Sequence, residues 1–211
     1  MQHQGHLITF EGGEGVGKTT LIDALYQYLQ NSRQDVIKTR APGGTEIGRL
    51  IREILLNQHQ DKMSYLCELF LFLADRSQHV DELILPALKQ RKIVLCDRFN
   101  DSTIAYQAAG RHQEERQIGD LCAFASLHVP IQLTFYLDLD PGLALKRVDR
   151  MKDRDRIEAE NIAFHKKIRQ AFHALIEKDP KRFVILDASL DPSEVFEIAK
   201  RHLDEFLQTY R

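Results

Sequence analysis

The chain has 211 residues, 43% of them hydrophobic and 28% charged, with 29 Lys plus Arg against 31 Asp plus Glu and a formal net charge of -2. That is room for one sizeable core in a composition that excludes disorder and fibrous repeats, and it leaves no basic field to draw in a long nucleic acid. No apolar run approaches the roughly 20 residues of a membrane span, and the start "MQHQGHL" lacks the charged head and apolar middle of a signal peptide, so a cytoplasmic protein with neither nucleic-acid nor membrane partners is expected.

The first apolar run, "LITF" (7–10), reads as a buried strand. It leads into "GGEGVGKT", Gly12 to Thr19, which satisfies G-x-x-x-x-G-K-[ST] and opens a helix whose Leu21, Leu25, Tyr28 and Leu29 share one face. Strand, glycine loop and helix in that order are the context a phosphate loop needs. Glycines let successive N–H groups converge on phosphate oxygens, the helix N-terminus adds its positive end, Lys18 neutralises β/γ charge and Thr19 offers a hydroxyl to Mg²⁺. Gly12, Gly13, Gly15, Val16, Gly17, Lys18, Thr19 and Thr20 are therefore expected to bind ATP. Glu14 is the anomaly: a carboxylate among phosphate-binding amides is repulsive unless it points elsewhere.

Further strands are expected at "DVIKT" (35–39), "KIVLC" (92–96), "LTFYLDL" (133–139) and "FVIL" (183–186), with helical stretches between them. Such alternation predicts a parallel sheet covered by helices. In "ELFLFLADRSQHV", Phe72 and Arg76 stand one turn apart, a flat ring and a planar donor on one helix face that would suit a base; taken alone, Phe72 reads first as core. Asp97 ends the third strand and is the candidate metal-facing carboxylate, with capping of the next segment as the plain alternative. In "DRFNDSTIAYQ", Ser102 and Tyr106, and Thr103 and Gln107, are again one turn apart.

"DPGLA" and "DPSEV" each place an Asp at an N-cap and a Pro at the first helical position, with Glu194 three residues after Asp191. "KRVDRMKDRDRIE" (146–158) is the most charge-dense stretch, and Arg147, Arg150 and Arg154 fall at i, i+3 and i+7. That face would suit a lid closing over a transferring phosphoryl group. Pairing of its arginines with Asp149, Asp153 and Asp155 is an equal alternative. Ile168, Phe172, Leu175 and Ile176 mark an amphipathic helix, with "HKKIR" (165–169) on its wet side. Cys67, Cys96 and Cys122 are an odd, widely spaced set, read as core thiols. D-x-x-G and N-K-x-D, which switch GTPases need, do not occur, and a small-molecule kinase is the economical reading.

"FEGGEGVGKTT", "PGGTE", "FLADRSQH", "DRFNDSTIAYQ" and "DRIE" occur in the order found in bacterial thymidylate kinases, and the resemblance runs from about residue 7 to 187. It implies a three-layer P-loop fold with a five-stranded parallel sheet and an Arg-rich lid, ATP and dTMP as substrates, Mg²⁺ held through Thr19 and Asp97, and a homodimer. It also implies that Glu14 faces the 3′-hydroxyl of dTMP, that Phe72 stacks on thymine and Arg76 donates to its O4, and that Thr103 meets the base edge with Ser102 and Gln107 beside it. Tyr106 would exclude a ribose 2′-hydroxyl, and Arg98 would grip the acceptor phosphate, with Arg40 near it. In the lid, Arg147 would lie toward adenine, and Arg150, Arg154 and Arg156 toward the ATP phosphates. Lys18, Arg98, Arg150 and Arg154 would carry the chemistry. Gly15 stands where some members carry an arginine, and Ala41 where the family usually has Glu; a water or Glu11 would substitute for that carboxylate. Two rivals follow from the residues: a kinase for another acceptor such as UMP, CMP or a deoxynucleoside, and a regulatory module that hydrolyses ATP slowly.

Overall fold

The computed structural model describes residues 5–57, 62–148 and 155–209. Five parallel strands, β1 (His6–Glu11), β2 (Val36–Arg40), β3 (Ile93–Asp97), β4 (Leu133–Asp138) and β5 (Phe183–Asp187), form one sheet in the order β2-β3-β1-β4-β5. Each lies within one residue of the run expected from sequence. The helices are α1 (Lys18–Asn31), α2 (Glu46–Leu56), α3 (Tyr65–His79), α4 (Leu85–Lys89), α5 (Asn100–Ile104), α6 (Glu115–Ala125), α7 (Pro141–Val148), α8 (Ile162–Lys178) and α9 (Pro192–Thr209). Two π-helical turns, Val80–Ile84 and Ala105–Gly110, interrupt α3–α4 and extend α5.

Strand alternation divides β1 between two layers. Ile8 and Phe10 enter a core with Leu21, Leu25, Leu29, Ala199 and Leu203 of α1 and α9. Leu7 packs on the opposite face with Val80, Ile84, Leu88 and Phe99, and on that face Thr9 and Glu11 are also fully buried. The Thr9 hydroxyl is 2.8 Å from that of Thr134, and Glu11 reaches Phe99 and Ser102. A buried polar stripe of this kind has to find partners internally.

The expected helix starts are seen. The Asp140 carboxylate accepts from the amides of Gly142 (2.8 Å) and Leu143 (3.3 Å) ahead of α7, and the Asp191 amide donates to Glu194 (3.3 Å) at the start of α9. Two expectations fail. Cys67 is exposed on α3, whereas Cys96 and Cys122 are buried, and His165 is buried rather than on the wet side of α8. Among the described residues no helix is long and apolar enough to cross a membrane.

Candidate active site

β1 is central, so the loop that follows it opens at the carboxyl end of the sheet beside the end of β3, where open parallel sheets bind ligands. Gly12, Gly15 and Gly17 adopt φ of 139°, 68° and 96°, conformations that favour glycine. A Cβ on Gly12 would lie 2.6 Å from the Leu137 carbonyl oxygen, so β4 packs directly against the loop. Gly17 caps α1, and Thr19 and Thr20 are exposed on its first turn. Val16 sends its side chain into the core. Lys18 is buried and donates to the carbonyl oxygens of Gly12 (3.2 Å) and Gly13 (2.6 Å), curling the loop around its own ammonium. Burial, then the nearby Arg98 charge, lowers its pKa.

Arg98 follows β3 with φ 65°, a strained value for a residue other than glycine. Its amide donates to the Phe10 carbonyl (2.9 Å), and the next amide, that of Phe99, donates to Glu11 (2.7 Å), so the turn is pinned on both sides. The guanidinium then donates to the Gly12 carbonyl (2.9 Å), the Ser102 hydroxyl (3.0 Å) and Glu14 (2.6 Å). Tyr106 donates to the same Glu14 oxygen at 3.0 Å. Burial alone would raise the Glu14 pKa, but the charges of Arg98 and Lys18 and these hydrogen bonds hold it at about 2. Glu11 behaves oppositely: burial, with the neighbouring Asp101 charge, pushes it up to about 7. Its oxygens accept from the Phe99 amide and the Ser102 hydroxyl (2.5 Å) in a fully enclosed position. Glu11 therefore braces the 98–102 turn and does not stand in for the carboxylate missing at Ala41.

One cleft is lined by Glu14, Phe72, Arg76, Arg98, Ser102, Thr103 and Tyr106, and also by Ala41, Pro42, Arg52, Leu56, Asp155 and Ile157. Arg76 lies 4.0 Å over the Phe99 ring, and its Nε and Nη1 are buried without a hydrogen-bond partner. Enclosed donors left open in this way fit an acceptor on a ligand. Gln107 is not in the lining: it is fully buried and donates to Glu68 at 2.7 Å. Arg40 is also elsewhere, in a second cleft with Thr19, Asp23, Lys38, Gly43, Gly44 and Asp97. The register Arg40↔Asp97↔Phe10 sets these side chains level with the start of the loop. Asp97 does not cap α5, whose N-terminus receives no side-chain cap among the described residues, and its Oδ1 is buried without a partner. Asp97 and Thr19 line the same cleft, and a carboxylate with an unpartnered oxygen beside a hydroxyl fits a hard cation that draws its other ligands from water and phosphate.

On the lid side, Arg147 is exposed and donates to the Ala188 carbonyl just beyond β5 (3.2 Å). Arg150 and Arg154, with Asp149 and Asp153, lie outside the described residues. Arg156, expected toward the ATP phosphates, instead pairs with Glu68 at 2.5 Å and donates to the Leu55 carbonyl at 2.8 Å. The sequence reading missed Arg52 and Asp155 in the cleft lining, and it missed Glu68 behind it, whose partners Gln107, Arg111 and Arg156 lie far along the chain. Arg52 is the one with a local signal, since it follows "PGGTE" and donates back to the Pro42 carbonyl at 3.0 Å.

The thymidylate kinase family profile matches residues 10–198. A curated thymidylate kinase of Protochlamydia amoebophila is 46% identical, spanning 96% of this chain and 93% of that protein. One from a Sulfurihydrogenibium species is 44% identical over 92% and 94%. The crystal structure of thymidylate kinase from Ehrlichia chaffeensis superposes with a TM-score of 0.77 at 31% identity, covering 94% of this chain and 98% of that one. Together with the phosphate loop and the adjoining cleft, these similarities establish that the chain belongs to the thymidylate kinase family.

Proposed function

We infer that the chain phosphorylates dTMP to dTDP by direct in-line transfer of the ATP γ-phosphoryl group. The observation that carries this is Arg98: a single guanidinium touches a phosphate-loop carbonyl, the loop carboxylate Glu14 and Ser102 of the adjoining cleft. A cation at that junction is placed to neutralise charge that develops between donor and acceptor phosphates, and phosphoryl transfer depends mainly on positioning and charge stabilisation. The acceptor phosphate is already anionic, so no strong base and no covalent enzyme intermediate are needed. Lys18 would leave the Gly12 and Gly13 carbonyls for ATP phosphates. Glu14 would exchange one of its two present donors for the dTMP 3′-hydroxyl.

In the acceptor cleft, Phe72 would lie against thymine, Arg76 would donate to its O4 with Thr103 at the base edge, and Tyr106 would close the 2′ position. Thr19 and Asp97 would hold Mg²⁺, which when bound supplies positive charge to the β- and γ-phosphate oxygens. The chain would act as one catalytic unit in the cytoplasm, with 146–158 as its lid and Arg147 toward adenine. ADP formation with and without dTMP tests the reading. ADP that appears only with dTMP supports it, and equal ADP without an acceptor indicates a slow hydrolase instead.

We propose further that the chain is a homodimer. Ile47, Leu50 and Ile54 of α2, Leu66 and Phe70 of α3, and Phe124 of α6 are all exposed on helices packed side by side. An apolar face of that kind marks a protein contact. Sedimentation equilibrium at twice the chain mass supports it; a monomer at all concentrations does not.

A further inference from the structure

We propose that Arg156 and Glu68 are positioning residues for the acceptor nucleotide, joined in an enclosed ion network that fixes one wall of the acceptor cleft. The proposal deepens, and rests on, the assignment of that cleft to dTMP. Glu68 lies on α3 with Phe72 and Arg76 at successive four-residue steps, so all three share a helix face. Its carboxylate, 3% exposed, accepts from Gln107 (2.7 Å), from Arg111 (3.0 and 3.3 Å) and from Arg156 (2.5 Å). Arg111 also pairs with Glu160 at 2.5 Å, so two arginines balance two glutamates.

Arg156 does more than neutralise charge. Its amide and its Nε donate to the carbonyls of Leu56 (3.1 Å) and Leu55 (2.8 Å), satisfying oxygens at the end of α2 that the helix itself leaves open. Its neighbours on either side, Asp155 and Ile157, line the acceptor cleft. Gln107 extends the network to the turn that carries Tyr106. Three walls of the cleft (α3, the Tyr106 turn and 155–157) are thus referred to one buried carboxylate. Enclosed charges add little net stability but tolerate few alternative arrangements, which suits a part whose task is to hold a register.

Arg156→Ala is the test, because Glu68 then keeps Arg111 and Gln107 and the fold is spared an unpaired carboxylate. With Mg²⁺, ATP and dTMP, the expected result is a KM for dTMP raised about tenfold, equivalent to ~1.4 kcal/mol, with the KM for ATP unchanged within about twofold. Arg156→Lys, which keeps the charge for Glu68, should recover most of the lost acceptor affinity. A KM for dTMP that does not move, an equal rise in both KM values, or no recovery with Lys would overturn the proposal. A fall in thermal stability alone would do the same, since a purely structural pair predicts it. Wild-type protein inactive on dTMP would instead overturn the functional reading beneath it.

Discussion

Arg98 and Glu14 form a 2.6 Å ion pair that joins the end of β3 to the phosphate loop, and Tyr106 completes it from the far side of the same carboxylate oxygen. The pair explains how an acidic residue can sit in an anion-binding loop. Its charge is already spent on a partner that faces the acceptor cleft. Arg98→Ala should lower turnover by about 10²–10³, the usual cost of one removed electrostatic stabiliser, while ATP affinity measured by calorimetry stays within a few-fold. Near-normal turnover would remove Arg98 from the mechanism.

Arg76 holds two buried guanidinium nitrogens without partners, a cost that a bound base would relieve. Arg76→Lys loses the planar fork and should raise the KM for dTMP about 10- to 100-fold, the worth of a charge-assisted hydrogen bond. The KM for ATP should not change. Steady-state kinetics with each substrate varied in turn checks this, and an unaltered acceptor KM would place the base elsewhere.

Tyr106 is nearly buried, between Glu14 and the Phe164 ring. If its bulk closes the 2′ position, Tyr106→Ala should improve the ribonucleotide relative to dTMP in kcat/KM by about tenfold, the scale on which pocket size discriminates. Tyr106→Phe keeps the ring and should keep the discrimination. Equal preference in wild type and the Ala variant would contradict a steric account.

Two carboxylates three residues apart bend stability in opposite directions with pH. Glu14, held at about 2 against an ordinary 4.5, contributes stability that is present above about 4.5 and lost as pH falls through about 2. Glu11, pushed from 4.5 to about 7, contributes stability that is present below about 4.5 and lost as pH rises through about 7. Glu11→Gln can still accept from Phe99 and can donate to Ser102, without a titrating charge. Its melting temperature should therefore gain on wild type as pH rises from about 5 to 8, and a constant difference across that range would show that Glu11 does not titrate there.

The strands and the phosphate loop were legible because they are local: apolar runs bounded by turns, and a glycine spacing that only one backbone path satisfies. The one-turn spacings that singled out Phe72 with Arg76 on α3, and Ser102 and Thr103 on α5 with Tyr106 in the turn after it, correspond to side chains that line one cleft. Gln107 shares its spacing with Thr103 yet is taken up by Glu68, 39 positions earlier in the chain. Arg156 belongs to the basic stretch by composition, but its direction is set by Glu68 and by the end of α2. Glu11 read as a stand-in for the carboxylate missing at Ala41, and only its enclosure at the end of β1, accepting from Phe99 and Ser102, shows that it braces the turn after Arg98. What escaped sequence reasoning is the set of buried charges whose partners lie far along the chain.

The most direct test of the account is the acceptor profile of the wild-type protein with ATP and Mg²⁺ across dTMP, dUMP, UMP, dCMP, dGMP and thymidine, with each product separated by chromatography. The account predicts strong preference for dTMP with dTDP and ADP formed in equal amounts. Preferential phosphorylation of another acceptor, or ADP formed without any phosphorylated nucleotide product, would contradict it.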